Sequence, residues 1–403
     1  MSALALESPS AARLPEAPPA APAVRFTIDG DDALEAHLAR TCARAVSGIR
    51  GLVPDRTLEA VLLGGGYGRG EGGVLRSAEG DRPYNDIEFY VALRGSRHLN
   101  ELRYRRPLEV LAQILTHQAD AEVEFKIASL SEMSRAPISM FSYDLLAGHR
   151  QVWGDPRGLA PCSAHRHADA LPIGEATRLL LNRCSGLLLA KAQLEREPFT
   201  EAAADFVGRN LAKVQLALGD AVLTVAGRYH WSCRERHRRL TRLSGYAVPE
   251  LDAVRRHHEA GVEFKLRPAL TRASRAELAA RLEEISSLAL RIWLWTESRR
   301  LARHYASARA YAGDAINFFP QTSALRNAAL NLRGAGPRLL RNRRRRWRNP
   351  RERALRSLAL LLWEPDALTH PALHHRLQAE LCTNASHFEG LVDAYTRLWR
   401  RVQ

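Results

Sequence analysis

The chain has 403 residues, 46% of them apolar, so it is long enough for two or three domains with hydrophobic cores. Its formal net charge is +15, and all but four of its 59 basic residues are arginines, a bias that favours a solvated basic surface over a dedicated nucleic-acid face. Five scattered cysteines without Cys-x-x-Cys spacing argue against a disulfide framework or a zinc site and favour a cytoplasmic setting, and no run approaches the roughly 18 apolar residues of a membrane span.

The chain begins with two contrasting segments. Residues 1–24 are rich in Ala and Pro and have no periodic apolar pattern, which predicts a disordered tail. Residues 31–49 carry apolar side chains at helical spacing and predict an amphipathic helix, and residues 58–63 predict the first strand. We therefore expect the folded part of the chain to begin near residue 25.

A glycine turn followed by an acidic strand is the most informative pattern in the sequence. Gly65 and Gly66 follow the first strand, and Asp86 and Glu88 alternate with apolar residues on the next one. Side chains two apart in a strand share a face, so the two carboxylates point the same way, as a hard divalent cation requires. Glycines let backbone N–H groups approach phosphates closely. The pattern therefore predicts a site for a metal and a nucleoside triphosphate.

At these residues the chain resembles the DNA polymerase β-like nucleotidyltransferase superfamily, whose signature is a strand, a Gly-Gly or Gly-Ser turn and an Asp-x-Asp or Asp-x-Glu strand. Gly65 and Gly66 match the turn, and Asp86 and Glu88 match the acidic pair. The run of residues 65–71 is also similar to the form found in PII uridylyltransferases. Nineteen residues separate Gly66 from Asp86, more than the family spacing, and we interpret residues 72–84 as an inserted loop.

The resemblance implies a third acid on a later strand. Residues 106–119 have helical spacing and lead into an alternating segment, residues 122–128, that predicts this strand. Its outward face carries Glu122, Glu124 and Lys126. Family strands usually place the acid one apolar residue before a Lys or a small residue, so we favour Glu124, and Glu122 remains the alternative.

The resemblance also implies a fold and a set of roles. The fold is α+β: a catalytic domain with a mixed sheet and flanking helices, over residues 25–160, followed by an all-helical domain. The expected ligands are an NTP, with ATP as the first candidate, and two Mg²⁺ ions, with Mn²⁺ as a substitute. The residues assigned to metal and catalysis are Asp86, Glu88 and Glu124, and those assigned to the nucleotide are Gly65, Gly66, Tyr67 and Arg69. Arg69 either offsets charge on the leaving pyrophosphate or only anchors the turn.

Beyond residue 172 the pattern changes to long helical repeats. Residues 174–193, 201–229 and 275–305 predict helices, which places an all-α domain over residues 161–330. Polar residues interrupt the apolar spacing of the first two helices: Asn182, Arg183, Arg209, Asn210, Lys213 and Asp220. These side chains either face the cleft above the catalytic domain or form hydrogen bonds between helices.

The C-terminal part contains an arginine run. Residues 331–352 predict a linker, in which the run from Arg341 to Arg348 surrounds Trp347. Such a run fits contact with RNA, an acidic protein or an anionic membrane surface, and equally an exposed linker. Residues 353–403 predict further helices, which form either a small subdomain or an extension of the bundle.

Two functions follow from these patterns. The first is transfer of an NMP from an NTP to an unidentified acceptor, a small molecule, a protein or a tRNA, with release of pyrophosphate. The second is a catalytically silent module of the same fold that binds RNA or an acidic protein partner.

Overall fold

The computed structural model describes residues 25–335 and 347–402. The predicted tail, residues 1–24, and all but Trp347 and Arg348 of the arginine run lie outside the described residues. Within the described ranges the fold is α+β, with a small sheet unit followed by helices, which confirms the predicted class at this level. No helix in these ranges is long and apolar enough to cross a membrane.

The N-terminal unit is built on a four-stranded mixed sheet. Its strands and helices, with the short hairpin beside them, are α1 (Asp32–Leu52), β1 (Leu58–Leu63), α2 (Gly65–Gly68), β2 (Val74–Ser77), β3 (Gly80–Pro83), β4 (Ile87–Leu93), α3 (Arg97–Ala119), β5 (Val123–Ala128), α4 (Leu130–Met133), α5 (Met140–Ala147) and β6 (Arg150–Gly154). The order across the sheet is β5-β4-β1-β6. β4 and β5 run parallel, and β1 is antiparallel to both β4 and β6.

The two central strands form because they can bury both faces. Five of the six residues of β1 and six of the seven of β4 are buried, and the apolar runs are rich in Val, Leu and Phe. Their side chains pack against α1 and α3 on one face and against α5 on the other. The exception in β4 is Glu88, which is only half-buried. The two central strands are therefore buried almost throughout, and the half-buried carboxylate of Glu88 lies on one of them.

The predicted loop over residues 72–84 is instead an antiparallel hairpin of β2 and β3. Val74 pairs with Pro83, and the turn uses Gly80 with a φ of +121°, a conformation that glycine adopts without strain. Asp31 accepts a hydrogen bond from the Asp81 backbone N–H at 3.1 Å, which ties the hairpin to the start of α1. The prediction was wrong because the residues are locally polar and rich in glycine, whereas the pairing is stabilised by contacts with a distant helix.

The other elements of this unit agree with the sequence in kind and differ in length. α1 begins after Asp31, whose carboxylate caps it, and extends three residues beyond the predicted end. α3 begins nine residues before its predicted start, at Arg97, and contains Pro107. The predicted strands at residues 58–63 and 122–128 are present as β1 and β5, within one residue at each end.

The remaining described chain is helical apart from short turns and 3₁₀ segments. Its helices are α6 (Gly174–Leu194), α7 (Glu201–Val225), α8 (Cys233–Thr241), α9 (Leu251–Leu266), α10 (Arg275–Leu301), α11 (Ala308–Gly313), α12 (Ala324–Ala335), α13 (Pro350–Trp363), α14 (Pro371–Leu381) and α15 (Phe388–Val402). α13 is buried along most of its length and shares one hydrophobic core with α6, α7 and α10. The C-terminal helices therefore extend the bundle instead of forming a separate core.

Three predicted helix bounds change in this region. The helix predicted over residues 201–229 ends at Val225, just before Gly227, which has a φ of +64°. Within residues 353–403, where further helices are predicted, Cys382 takes a left-handed conformation with a φ of +53° that ends α14 and separates it from α15. The predicted linker, residues 331–352, overlaps the last turn of α12 and the first residues of α13.

Candidate active site

The predicted acids meet on two neighbouring strands. In the parallel pairing of β4 and β5, Glu88 lies directly opposite Glu124. Asp86 and Glu122 come one residue before their strands, and the Ile87 backbone N–H donates to the Glu122 carbonyl at 2.7 Å. The structure thus brings the three predicted ligands to one region of the sheet, with the alternative acid beside them.

Lys126 lies between the two central carboxylates. Its ammonium donates to Glu88 Oε1 at 2.8 Å and lies 2.8 Å from Glu124 Oε2. Burial alone lowers the pKa of Lys126, but the hydrogen bonds to Glu124 and Glu88 outweigh it and raise that pKa. The lysine therefore stays charged, and its ammonium marks a point on which two carboxylates converge.

Asp86 stands in a strongly negative environment. Its side chain is exposed, yet partial loss of hydration raises its pKa, and Glu122, Glu124 and Glu88 raise it further. Lys213 opposes this shift. A carboxylate whose pKa is raised by neighbouring carboxylates marks a place that favours a bound cation.

The glycine turn packs directly on the acidic strand. Gly64 donates its N–H to the Glu88 carbonyl at 2.8 Å, and Gly65 has a φ of +61°. A Cβ on Gly65 would come within 3.2 Å of Glu88 Oε2, so only glycine leaves the carboxylate this position. Gly66 is different, because a Cβ there would meet the Glu71 carbonyl oxygen at 3.0 Å. Gly65 therefore faces the acids, and Gly66 packs against its own loop.

Tyr67 is placed in the interior behind the turn. It is 1% exposed, and its hydroxyl donates to the Gly73 carbonyl at 3.0 Å and accepts from the backbone N–H groups of Tyr84 and Asn85. Burial raises its pKa to about 12. In this arrangement the hydroxyl joins the glycine loop to the start of the acidic strand.

Arg69 pairs with a carboxylate away from the acidic strands. Its guanidinium lies 3.0 Å from Asp144 Oδ2 on α5 and 3.4 Å from the Trp231 carbonyl oxygen. Burial alone lowers the pKa of Arg69, and the charges of Asp144 and Tyr229 outweigh this and raise it. The structure thus holds the guanidinium where it fastens the turn to α5 and to the helical region.

Glu71 was not selected from the sequence, although it ends the glycine motif. It is 3% exposed and accepts hydrogen bonds from the Cys233 backbone N–H at 2.8 Å and from the Ser232 hydroxyl at 2.5 Å. These groups begin α8, so the carboxylate caps that helix from another part of the chain. Burial raises and these hydrogen bonds lower the pKa of Glu71, with a net lowering. The sequence signal that could have identified Glu71 is its position as an acid directly after a glycine-rich run.

Basic side chains of the helical region gather around Lys213 of α7, which lies near Asp86. Lys213 lies close enough to Asp86 for each to shift the pKa of the other. Burial lowers the pKa of Lys213, and Arg183 and Arg209 lower it further. Lys213 and Arg183 are nevertheless exposed. The basic side chain of Lys213 and the carboxylate of Asp86 therefore lie close together.

The other polar residues of α6 and α7 form hydrogen bonds within the bundle. Asp220 is buried, with its Oδ1 2.6 Å from Arg236 Nε and 3.1 Å from His258 Nε2. Asn182 accepts a hydrogen bond from the indole of Trp399 at 3.1 Å. Asp220 and Asn182 therefore follow the second predicted alternative, hydrogen bonds between helices.

The site has the donor chemistry for a hard cation, since carboxylate oxygens are the ligands that Mg²⁺ prefers. Glu88 and Glu124 already converge on one cationic atom. In residues 25–335 and 347–402, no group of three His, Cys, Asp or Glu side chains converges closely enough to hold a metal. The arrangement seen is therefore an ion-paired cluster with Asp86 at its edge. No family model, curated protein or solved structure matches this chain, so these residues alone carry its assignment.

Proposed function

We propose that the protein is a nucleotidyltransferase of the DNA polymerase β-like type that moves an NMP from an NTP to an acceptor and releases pyrophosphate. The observation that carries the proposal is the convergence of Glu88 and Glu124 on one cationic atom, each at 2.8 Å, beside the turn at Gly65. The parallel pairing of β4 and β5, which sets these acids side by side, further supports it.

In this proposal Asp86, Glu88 and Glu124 hold Mg²⁺, and Lys126 moves aside when the nucleotide enters. Bound Mg²⁺ supplies Lewis-acid stabilisation of the attacking and leaving oxygens. Lys213 and Arg183 bind the triphosphate through its anionic oxygens. Lys213 lies close enough to Asp86 for each to shift the pKa of the other, and Arg183 lies near Lys213, which favours a nucleotide that contacts both the acids and α7.

The transfer step balances without a further reactant. The acceptor oxygen forms a bond to the α-phosphorus of the NTP, and the bond from that phosphorus to the α–β bridging oxygen breaks. Pyrophosphate leaves with that electron pair, and the proton of the acceptor hydroxyl passes to Glu124. The acceptor class is assigned by experiment.

A catalytically silent module is the second candidate, and one observation favours it. Lys126 bridges the two glutamates as they stand, and no three metal-ligating side chains converge in the described part of the chain. A silent module would bind RNA or an acidic protein without Mg²⁺, and this binding would survive Asp86→Ala and weaken with salt.

One labelling experiment separates the two. Purified protein is incubated with each α-³²P-labelled NTP and Mg²⁺, alone and with cell extract, beside Asp86→Ala and Glu88→Ala. Glu109→Ala is the matched control, because Glu109 is an exposed carboxylate on α3. Label transferred by wild type and by the control, and by neither site variant, supports transfer and identifies the acceptor class. Equal label in all four proteins, or in none, contradicts it.

A further inference from the structure

A second basic concavity lies among the C-terminal helices. A cavity of about 640 Å³ opens between α12, α13 and α15, and it shares no residue with the candidate active site. Five arginines line it: Arg326, Arg351, Arg353, Arg397 and Arg401. No Asp or Glu belongs to its described lining. The charged side chains of this described lining are therefore all basic.

Three of these arginines are available to a ligand. Arg326, Arg397 and Arg401 are exposed, and none of them has an ion-pair partner within the described ranges. Their guanidinium groups keep the planar donor fork that matches phosphate oxygens. They can therefore be removed by substitution without disturbing a buried contact.

A fourth arginine is set into the wall. Arg351 donates from both Nε and Nη2 to the Val402 carbonyl oxygen, at 3.1 and 3.0 Å. A carbonyl orients a guanidinium without cancelling its charge. Burial and then the charge of Arg178 lower the pKa of Arg351, and Glu175 opposes them.

The surrounding sequence concentrates the basic charge of the whole protein. Residues 321–403 contain sixteen arginines, no lysine and six acids, a net charge of +10 within a chain whose total is +15. The preference for arginine fits phosphate recognition, because each fork can hold two oxygens of one phosphate. One small anion would neutralise only a part of this charge.

Neutral hydrogen-bonding groups complete the lining. Gln321, Thr322, Ser323 and Asn349 surround the arginines, and Asn327 is fixed by its bond to the Thr322 hydroxyl at 2.9 Å. Amides and hydroxyls beside arginine forks suit a ligand that carries sugar hydroxyls as well as phosphates. We propose that this cavity binds the phosphate backbone of RNA. The proposal does not require nucleotidyl transfer, since it concerns binding at a separate place.

The test measures binding of a fluorescein-labelled RNA hairpin to the full chain by anisotropy, without NTP or Mg²⁺, from about 50 to 200 mM salt. The test variant carries Arg326→Gln, Arg397→Gln and Arg401→Gln together. The matched control carries Arg40→Gln, Arg44→Gln and Arg56→Gln, three exposed arginines of the N-terminal unit. Both variants lose three charges, and circular dichroism checks that both fold.

The proposal expects wild type and control to bind RNA alike. The cavity variant should bind about tenfold or more weakly, with the slope of log affinity against log salt reduced by about two. An equal loss of RNA affinity in both triple variants would show that overall charge explains the binding, and it would overturn the proposal. Absence of RNA binding by wild type would also overturn the proposal. This holds even if the protein binds vesicles that contain phosphatidylserine. Because no NTP is present, a failed labelling experiment leaves this result unaffected.

Discussion

Lys126 Nζ lies 2.8 Å from Glu88 Oε1, and the same ammonium bridges to Glu124 on the neighbouring strand. The parallel pairing places the two glutamates directly opposite each other, where their charges would repel. One cation therefore satisfies two carboxylates. Any metal held by these acids must compete with a lysine of the same face.

Lys126→Met should strengthen the binding of divalent cations. Removal of the ammonium leaves Glu88 and Glu124 without a counterion, so we expect Mg²⁺ or Mn²⁺ to bind about tenfold more tightly. Calorimetric titration of the apo protein with Mn²⁺ measures this directly. Lys191→Met is the control, because Lys191 contacts the ring of Phe388 in the helical bundle. Weaker cation binding in Lys126→Met than in the control would contradict the competition.

The acidic strands could be predicted because their pattern is local. Alternation identified β4 and β5, and with it the shared face of Glu88 and Glu124. The pairing of Lys126 with both acids depends on the register between two strands 36 residues apart, which no local pattern encodes. The sequence therefore indicated which side chains share a face, and the structure supplied their contacts.

The contacts made by the glycine turn could not be predicted from the sequence. Arg69 and Glu71 stand within the glycine-rich run, residues 65–71, yet each contacts a residue more than 70 positions away, Asp144 and Cys233 respectively. Such contacts depend on the packing of the helical region on the sheet unit. The hairpin over residues 72–84 was missed for a related reason, since it is held by Asp31 of another element.

The choice of third acid can be tested with two isosteric variants. Glu124 lies opposite Glu88 and is half-buried, whereas Glu122 precedes the strand and is exposed. We expect Glu124→Gln to lower NTP turnover by about a hundredfold or more and Glu122→Gln to lower it less than tenfold, as for loss of a group that acts in the transition state. Pyrophosphate release reports both rates. The reverse order would assign the role to Glu122.

Gly65→Ala should damage both the turn and the position of Glu88. A left-handed conformation costs an alanine about 1–2 kcal/mol, and its Cβ would press on Glu88 Oε2 at 3.2 Å. We expect a loss of about 1–2 kcal/mol in the free energy of unfolding by urea, together with loss of turnover. Gly51→Ala is the control, because nothing lies within 4 Å of a Cβ there and α1 should gain slightly. Full stability of Gly65→Ala would show that the turn rearranges freely.

Glu71 should make part of the stability depend on pH. Its pKa is lowered in the folded protein from the ordinary value of 4.5, so the unfolded chain takes up the proton more readily. The stabilisation is complete above about pH 4.5 and is lost as the pH falls through the folded pKa. Glu71→Gln should cost about 1–3 kcal/mol near pH 7, and its difference from wild type should shrink toward pH 3. Urea unfolding across this range measures it, with exposed Glu79→Gln as the control. A difference that is constant with pH would show that the carboxylate charge contributes nothing.

Lys213→Met tests whether the ammonium group of Lys213, on α7, binds the triphosphate. Lys213 is exposed, so the variant should fold normally, and Asp86 should lose the positive charge that opposes the rise of its pKa. We expect the KM for NTP to rise about tenfold or more, because a charge-assisted contact to phosphate contributes about 1.5–3 kcal/mol. The rate against pH should shift toward higher pH, since Asp86 then ionises later. A lysine that acts only on Asp86 would shift this profile and leave the KM unchanged. Arg183→Met should also raise the KM for NTP. Arg183 lies near enough to Lys213 to lower its pKa, so the two basic groups belong to the same part of the proposed site. An unchanged KM in both variants would remove α6 and α7 from the nucleotide site.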